Sequence, residues 1–268
     1  MLIQVLNGFS LYEIVFFFAI YSFLGWCIEV AYAYTNRGYF VNRGFLYGPF
    51  CPIYGLGFVS IIVFLDHYKD NLIALYILST LLTSTIEYVT GYLLEKIFKS
   101  KWWDYTEDPF NLHGRICLHF SLAWGVAAVA IIKIIHPIFF IFVNILPLNI
   151  GIYIFYVLIS YFMIDLILTI SSLIQLNIIL SKLTFISSEL KRRYSYIISV
   201  TKEKAIGTAQ EMEEGFKDLI DNYNKNLSKI NFNHKRLIKA FPNMKSTYFD
   251  SIISELKEKI SSLKDLIK

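Results

Sequence analysis

Long apolar runs separated by short polar clusters fill the first two thirds of the chain. A helix needs about 20 apolar residues to cross a hydrocarbon core of about 30 Å. Residues 11–34, 72–97, 116–135 and 150–180 meet that requirement, so each predicts a span. No Lys or Arg precedes the first run, and the run is too long for the apolar part of a signal peptide, so it is read as a span. A fifth span, residues 42–65, differs in kind. Its first part reads NRGFLYGPFCPIYGLG, where Pro49 and Pro52 interrupt any helix and glycines permit tight backbone approach. Irregular backbone survives at membrane depth only where protein or a wet cavity satisfies its polar groups, so a packed pocket is expected beside it. Residues 138–146, between Pro137 and Pro147, are too few to span and predict a re-entrant or interfacial piece.

Polar residues inside the runs follow helical spacing. Ser22, Gly25 and Glu29 line one face of the first span; Thr80, Ser84, Glu87 and Gly91, with Glu95 a turn later, line the third. Asp165 stands alone in the last span, residues 150–180. Beyond residue 182 the rhythm becomes that of soluble amphipathic helices. Met212, Phe216, Leu219, Tyr223 and Ile230 keep one a/d register, and Ile253, Leu256, Ile260, Leu263 and Ile267 keep another, with Pro242-Asn243 between them. The expected fold is all-α: about five transmembrane helices with a broken or re-entrant stretch over residues 1–181, and a cytoplasmic, coiled-coil-like helical hairpin over 182–268.

Composition fixes the class: 56% of the residues are hydrophobic and 17% aromatic, with mean hydropathy +0.51. The net charge of +4 is uneven, since residues 182–268 hold 17 Lys and Arg against 11 Asp and Glu. Basic residues are dense in alternate loops, around Arg37 and Arg43, around Lys96 to Arg115, and in the tail. The positive-inside rule then predicts an outside N-terminus and a cytoplasmic C-terminus. The tail's lysines alternate with acids, which gives no nucleic-acid patch. Cys27, Cys51 and Cys117 form neither a disulfide framework nor a zinc motif.

Glu29 and Glu87 are too costly to leave charged and unpaired in hydrocarbon. Arg43 and Arg115, each at the start of the following span, are the expected partners. Three readings stay open: two structural ion pairs, an anion or headgroup pocket on the arginines, or a proton or cation path through the carboxylates. Asn42, next to Arg43, and Trp103 and Asp104, in the loop that leads to Arg115, join the arginines as candidate ligand-binding residues. His119, one helical turn after Arg115, could act as acid or base on a phosphate-bearing headgroup. No nucleophile has a recognisable His and acid partner, so no catalytic residue is assigned. Asp104, Glu107, Asp108 and His113 match no named metal site and read as a solvated loop; no metal or cofactor is expected.

The first two spans echo the next two. Ile28-Glu29-Val30 and Ile86-Glu87-Tyr88 each precede a loop ending in arginine, then a cysteine, then Tyr54-Gly55 or Trp124-Gly125. A parallel two-helix repeat would produce this pattern.

Taken together, FLGWCIEV, GYFVNRGFLYGPFCPIYGLG, STIEYVTGYLLEKIF, WWDYTEDPFNLHGRICL and SLAWG resemble the CmpB-like, ABC-transporter type IV family of bacterial membrane proteins, over about residues 16–124. The resemblance implies a permease subunit in the cell membrane, of no defined substrate. The chain has no GxxxxGK[ST] loop, so a separate ATPase subunit is the implied partner. The residues alone also allow a membrane-embedded enzyme or binding protein for a phosphate-bearing lipid headgroup. A scaffold that recruits a partner, or a second copy, through its C-terminal helices is a further alternative, and the transporter reading leads.

Overall fold

The computed structural model describes residues 4–6, 8–201, 209–246 and 248–265, with side chains described at 8–195, 215–246 and 248–258. Among the described residues four helices are long and apolar enough to cross a membrane, and one apolar helix is shorter. The first, α1 (Leu11–Arg37), starts at a capping box. Ser10 Oγ accepts from the Glu13 N–H, and the Glu13 carboxylate accepts from the Ser10 N–H at 2.8 Å. It stops at Gly38, whose φ of 71° is the left-handed cap that glycine adopts without strain. The short helix α2 (Pro52–Leu65) begins on Pro52, where the missing N–H costs nothing, and ends in a 3-10 turn, Asp66–Tyr68. Next comes α3 (Leu72–Phe98), followed by a loop with a hairpin of two-residue strands, β1 (Asn111–Leu112) and β2 (Ile116–Cys117).

The fourth span corrects the expectation for residues 138–146. Helix α4 (Leu118–Ala130) passes through a π-turn (Ile131–Ile135) into α5 (His136–Ile145), so the piece after Pro137 continues the span rather than re-entering. Pro137 has no N–H and its ring crowds the carbonyl one turn back. The wider turn, in which His136 N–H closes on Ile131 O, absorbs this without breaking the helix. The last span is the start of α6 (Leu148–Thr201), a continuous helix of 54 residues.

The chain forms two compact units, residues 1–97 with 101–170, and residues 98–100 with 171–268. In the first, Phe17, Tyr21, Ile61, Ile62, Leu75, Ala128 and Val143 make the core. Large apolar side chains such as Ile73, Val126, Ile145 and Val157 stay exposed on the spans, the surface that lipid covers.

In the second unit α7 (Ala209–Leu227) and α9 (Asp250–Asp265) are the two helices of the a/d pattern, and Tyr223 Oη donates to Glu255 at 2.7 Å between them. A further helix, α8 (Phe232–Ala240), lies between them in sequence. Ile230, Ile238, Phe249, Ile252, Ile253 and Leu256 pack on Leu176, Leu180 and Leu183 of α6. The side chains of Met212, Ile260, Leu263 and Ile267 lie outside the described residues.

Candidate functional site

Glu29 sits two turns before the end of α1, on the face that carries Ser22 and Gly25. Its carboxylate accepts from Arg43 Nε at 2.9 Å and Nη2 at 2.8 Å, and from Tyr54 Oη at 2.6 Å. The expected Glu29–Arg43 pair is therefore formed, and it is charge-assisted on both sides. Tyr54 reaches the carboxylate because position 25 is glycine: a Cβ there would overlap the root of the Tyr54 side chain. Trp124 of α4 meets the Tyr54 ring edge-on at 5.1 Å.

The broken stretch before α2 has its backbone satisfied by protein, as its sequence demands. Asp165, on α6, accepts the N–H groups of Tyr47 at 2.8 Å and Gly48 at 2.9 Å, and Thr169 Oγ1 donates to the same carboxylate. Cys51 N–H donates to Ser22 O at 2.9 Å. Asn42 pins the stretch from within: its Oδ1 accepts from Trp26 Nε1 and Gly44 N–H, and its Nδ2 donates to Tyr47 O. The lone carboxylate of the last span thus holds a loop together.

The second half departs from expectation. Arg115 does not reach Glu87; its Nε and Nη2 donate to Glu95 Oε2 at 3.1 and 2.7 Å, and its guanidinium lies over the rings of Tyr88 and Tyr92. Trp103 decides this. Its Nε1 donates to Arg115 O at 2.8 Å, and its ring lies close over Gly91, which fixes the arginine beside the later turn of α3. Glu87 instead accepts from Tyr105 Oη at 3.2 Å, while its Oε2 is buried with no hydrogen-bond partner among the described residues. Burial raises the Tyr105 phenol's pKa above its ordinary range, and the carboxylates of Glu87 and, further down in effect, Glu29 push it the same way. Tyr105 therefore ties Glu87 to the loop that follows α3.

Arg115 and His119 do not share a helix face, because α4 begins only at Leu118. His119 turns to Cys117 and Asp108 instead. Asp104 accepts from the N–H and hydroxyl of Thr106 and pairs with Lys101 at 3.7 Å, a turn-forming role. His113 Nδ1 meets Tyr88 Oη at 2.9 Å. Tyr54, Tyr105 and Glu95 complete the site beyond the candidate binding residues; Tyr54 stood in the repeated aromatic-Gly pair and Glu95 on the polar stripe of its span, whereas no spacing or pattern pointed to Tyr105.

These features define a polytopic all-α membrane protein with ion-paired carboxylates gathered at one end of its spans. Residues 16–170 match the family described as "Putative ABC-transporter type IV", and the chain, more than half of which is covered, belongs to that family. No curated protein and no solved structure matches the chain.

Proposed function

We propose that this chain is the membrane-embedded permease of a transporter whose ATP hydrolysis falls to a separate chain, with its C-terminus in the cytoplasm. The charge balance of the site supports this reading most directly. Both arginines are engaged by glutamates, Arg43 by Glu29 and Arg115 by Glu95, so neither offers an unspent charge to an anion. Glu87 is the carboxyl group whose partner is a phenol and not a cation, and one of its oxygens is unmatched. A site of this kind favours a cationic or hydrogen-bond-donating solute, or a proton, over a phosphate headgroup. Affinity purification from native membranes after mild crosslinking tests the proposal. An ATPase chain in stoichiometric amount is expected; recovery of this chain alone, or only with further copies of itself, overturns it.

A further inference from the structure

Three side chains left out of the Glu–Arg site converge at the loop after α3. Asp108 comes from the Asp108-Pro109 turn, Cys117 from the end of β2, and His119 from the first turn of α4. His119 Nε2 lies 3.9 Å from Asp108 Oδ1 and 3.9 Å from Cys117 Sγ, and one ligand atom from each residue falls within 4.8 Å of the others. The carboxylate–imidazole separation is too long for a hydrogen bond, which needs about 3.2 Å or less. It is close to what a shared ion would impose. Tetrahedral zinc with bonds of about 2.0–2.3 Å sets its ligand atoms about 3.3–3.6 Å apart, so the two separations from His119 need to close by only a few tenths of an ångström and the one between Asp108 and Cys117 by no more than roughly 1.5 Å.

We propose that Asp108, Cys117 and His119 form a three-ligand site for Zn²⁺ or a similar late first-row divalent ion, with the fourth position open. One thiolate, one imidazole and one carboxylate suit such ions, whereas Mg²⁺ and Ca²⁺ take oxygen ligands only. Cys117 is buried while His119 is exposed, so protein backs the site on one side and the open position faces outward. The His119 ring also packs on Phe120 at 4.1 Å, and Phe120 packs on Tyr105 at 5.1 Å. An ion here clasps the 99–117 loop to the start of α4, next to the tyrosine that holds Glu87. The site stands whether or not the chain transports anything. Loading deprotonates the thiol and releases a proton.

The test uses the full-length protein in detergent, stripped by chelator and titrated with Co²⁺. One equivalent should bind with a thiolate-to-cobalt charge-transfer band and the visible bands of a tetrahedral ion. Cys117→Ser should abolish the charge-transfer band, whereas Cys27→Ser and Cys51→Ser keep it. Asp108→Asn and His119→Gln should each weaken binding by more than the roughly 10–100-fold that loss of a supporting contact costs. His119 is exposed, so its replacement reads metal binding without threatening the fold. Zn²⁺ should raise the melting temperature of the wild type and leave Cys117→Ser unchanged. Absence of the charge-transfer band, its survival in Cys117→Ser, or unweakened binding in both other variants overturns the assignment.

Discussion

Arg115 faced two carboxylates on one side of α3, Glu87 and Glu95, two turns apart. Sequence spacing could not choose between them, because both lie on the same helical face. Trp103 makes the choice through its hydrogen bond to the Arg115 carbonyl and its seat over Gly91. Two double-mutant cycles check the result. Arg115→Met alone should cost about 2 kcal/mol or more by stranding Glu95, and adding Glu95→Gln should recover most of it. The cycle between Arg115 and Glu87 should show no comparable coupling; coupling there, measured by thermal melts in detergent, would refute the pairing. The Glu29–Arg43 pair was legible because α1 offers a single carboxylate near its end. Tyr105 was not, since a loop tyrosine carries no sign of which helix it will lean on.

The two-helix echo is visible in packing as well as in sequence. Gly55 sits against Ser22, seven residues before Glu29, and Gly125 sits against Thr80, seven before Glu87. Each glycine removes the Cβ that would collide with a hydroxyl of the preceding span, and this close approach is what the small-residue stripe predicted. Gly25→Ala and Gly55→Ala should each lower stability by about 1–3 kcal/mol, because the first meets the base of Tyr54 and the second the Phe18 carbonyl at 2.6 Å. Gly57→Ala has open space and a helical position, so its melting temperature should stay the same or rise. In the C-terminal unit the a/d pattern showed the helices but hid the break before α8, where Asn231 caps a new helix. His234 sits in that cap. Its Nδ1 accepts from Asn231 N–H at 3.3 Å, and its Nε2 donates to Ser172 O at 3.1 Å, an arrangement only the neutral ring satisfies. Burial lowers its pKa from the ordinary 6.5. The unfolded chain therefore binds the extra proton first, and stability is full above the unfolded value and lost as pH falls below it. Proteolysis of this unit should quicken between about pH 7.5 and about pH 5.5, and His234→Gln should flatten that dependence.

For the whole molecule, the alternation of basic loops predicts residue 69 outside and residues 43, 101 and 250 in the cytoplasm. Cysteine-accessibility labelling in intact cells reads this directly, and labelling of residue 250 from outside would sink it. The spans themselves were legible from hydropathy, except that Pro137 read as a boundary when the π-turn carries the helix past it. Asp165 was legible as a buried acid but not as a clamp, because its partners, Tyr47 and Gly48, lie 118 and 117 residues earlier. That separation bears on how the chain is made. Synthesis exposes residues 42–51 long before Asp165 leaves the ribosome, so through most of insertion the stretch has amide groups with no final acceptor. A nascent chain stopped at about residue 150 should be recognised by membrane quality control and degraded quickly, whereas one extended past residue 170 should persist. Pulse-chase of the two lengths separates them, and equal lifetimes would show that the stretch needs no such late completion.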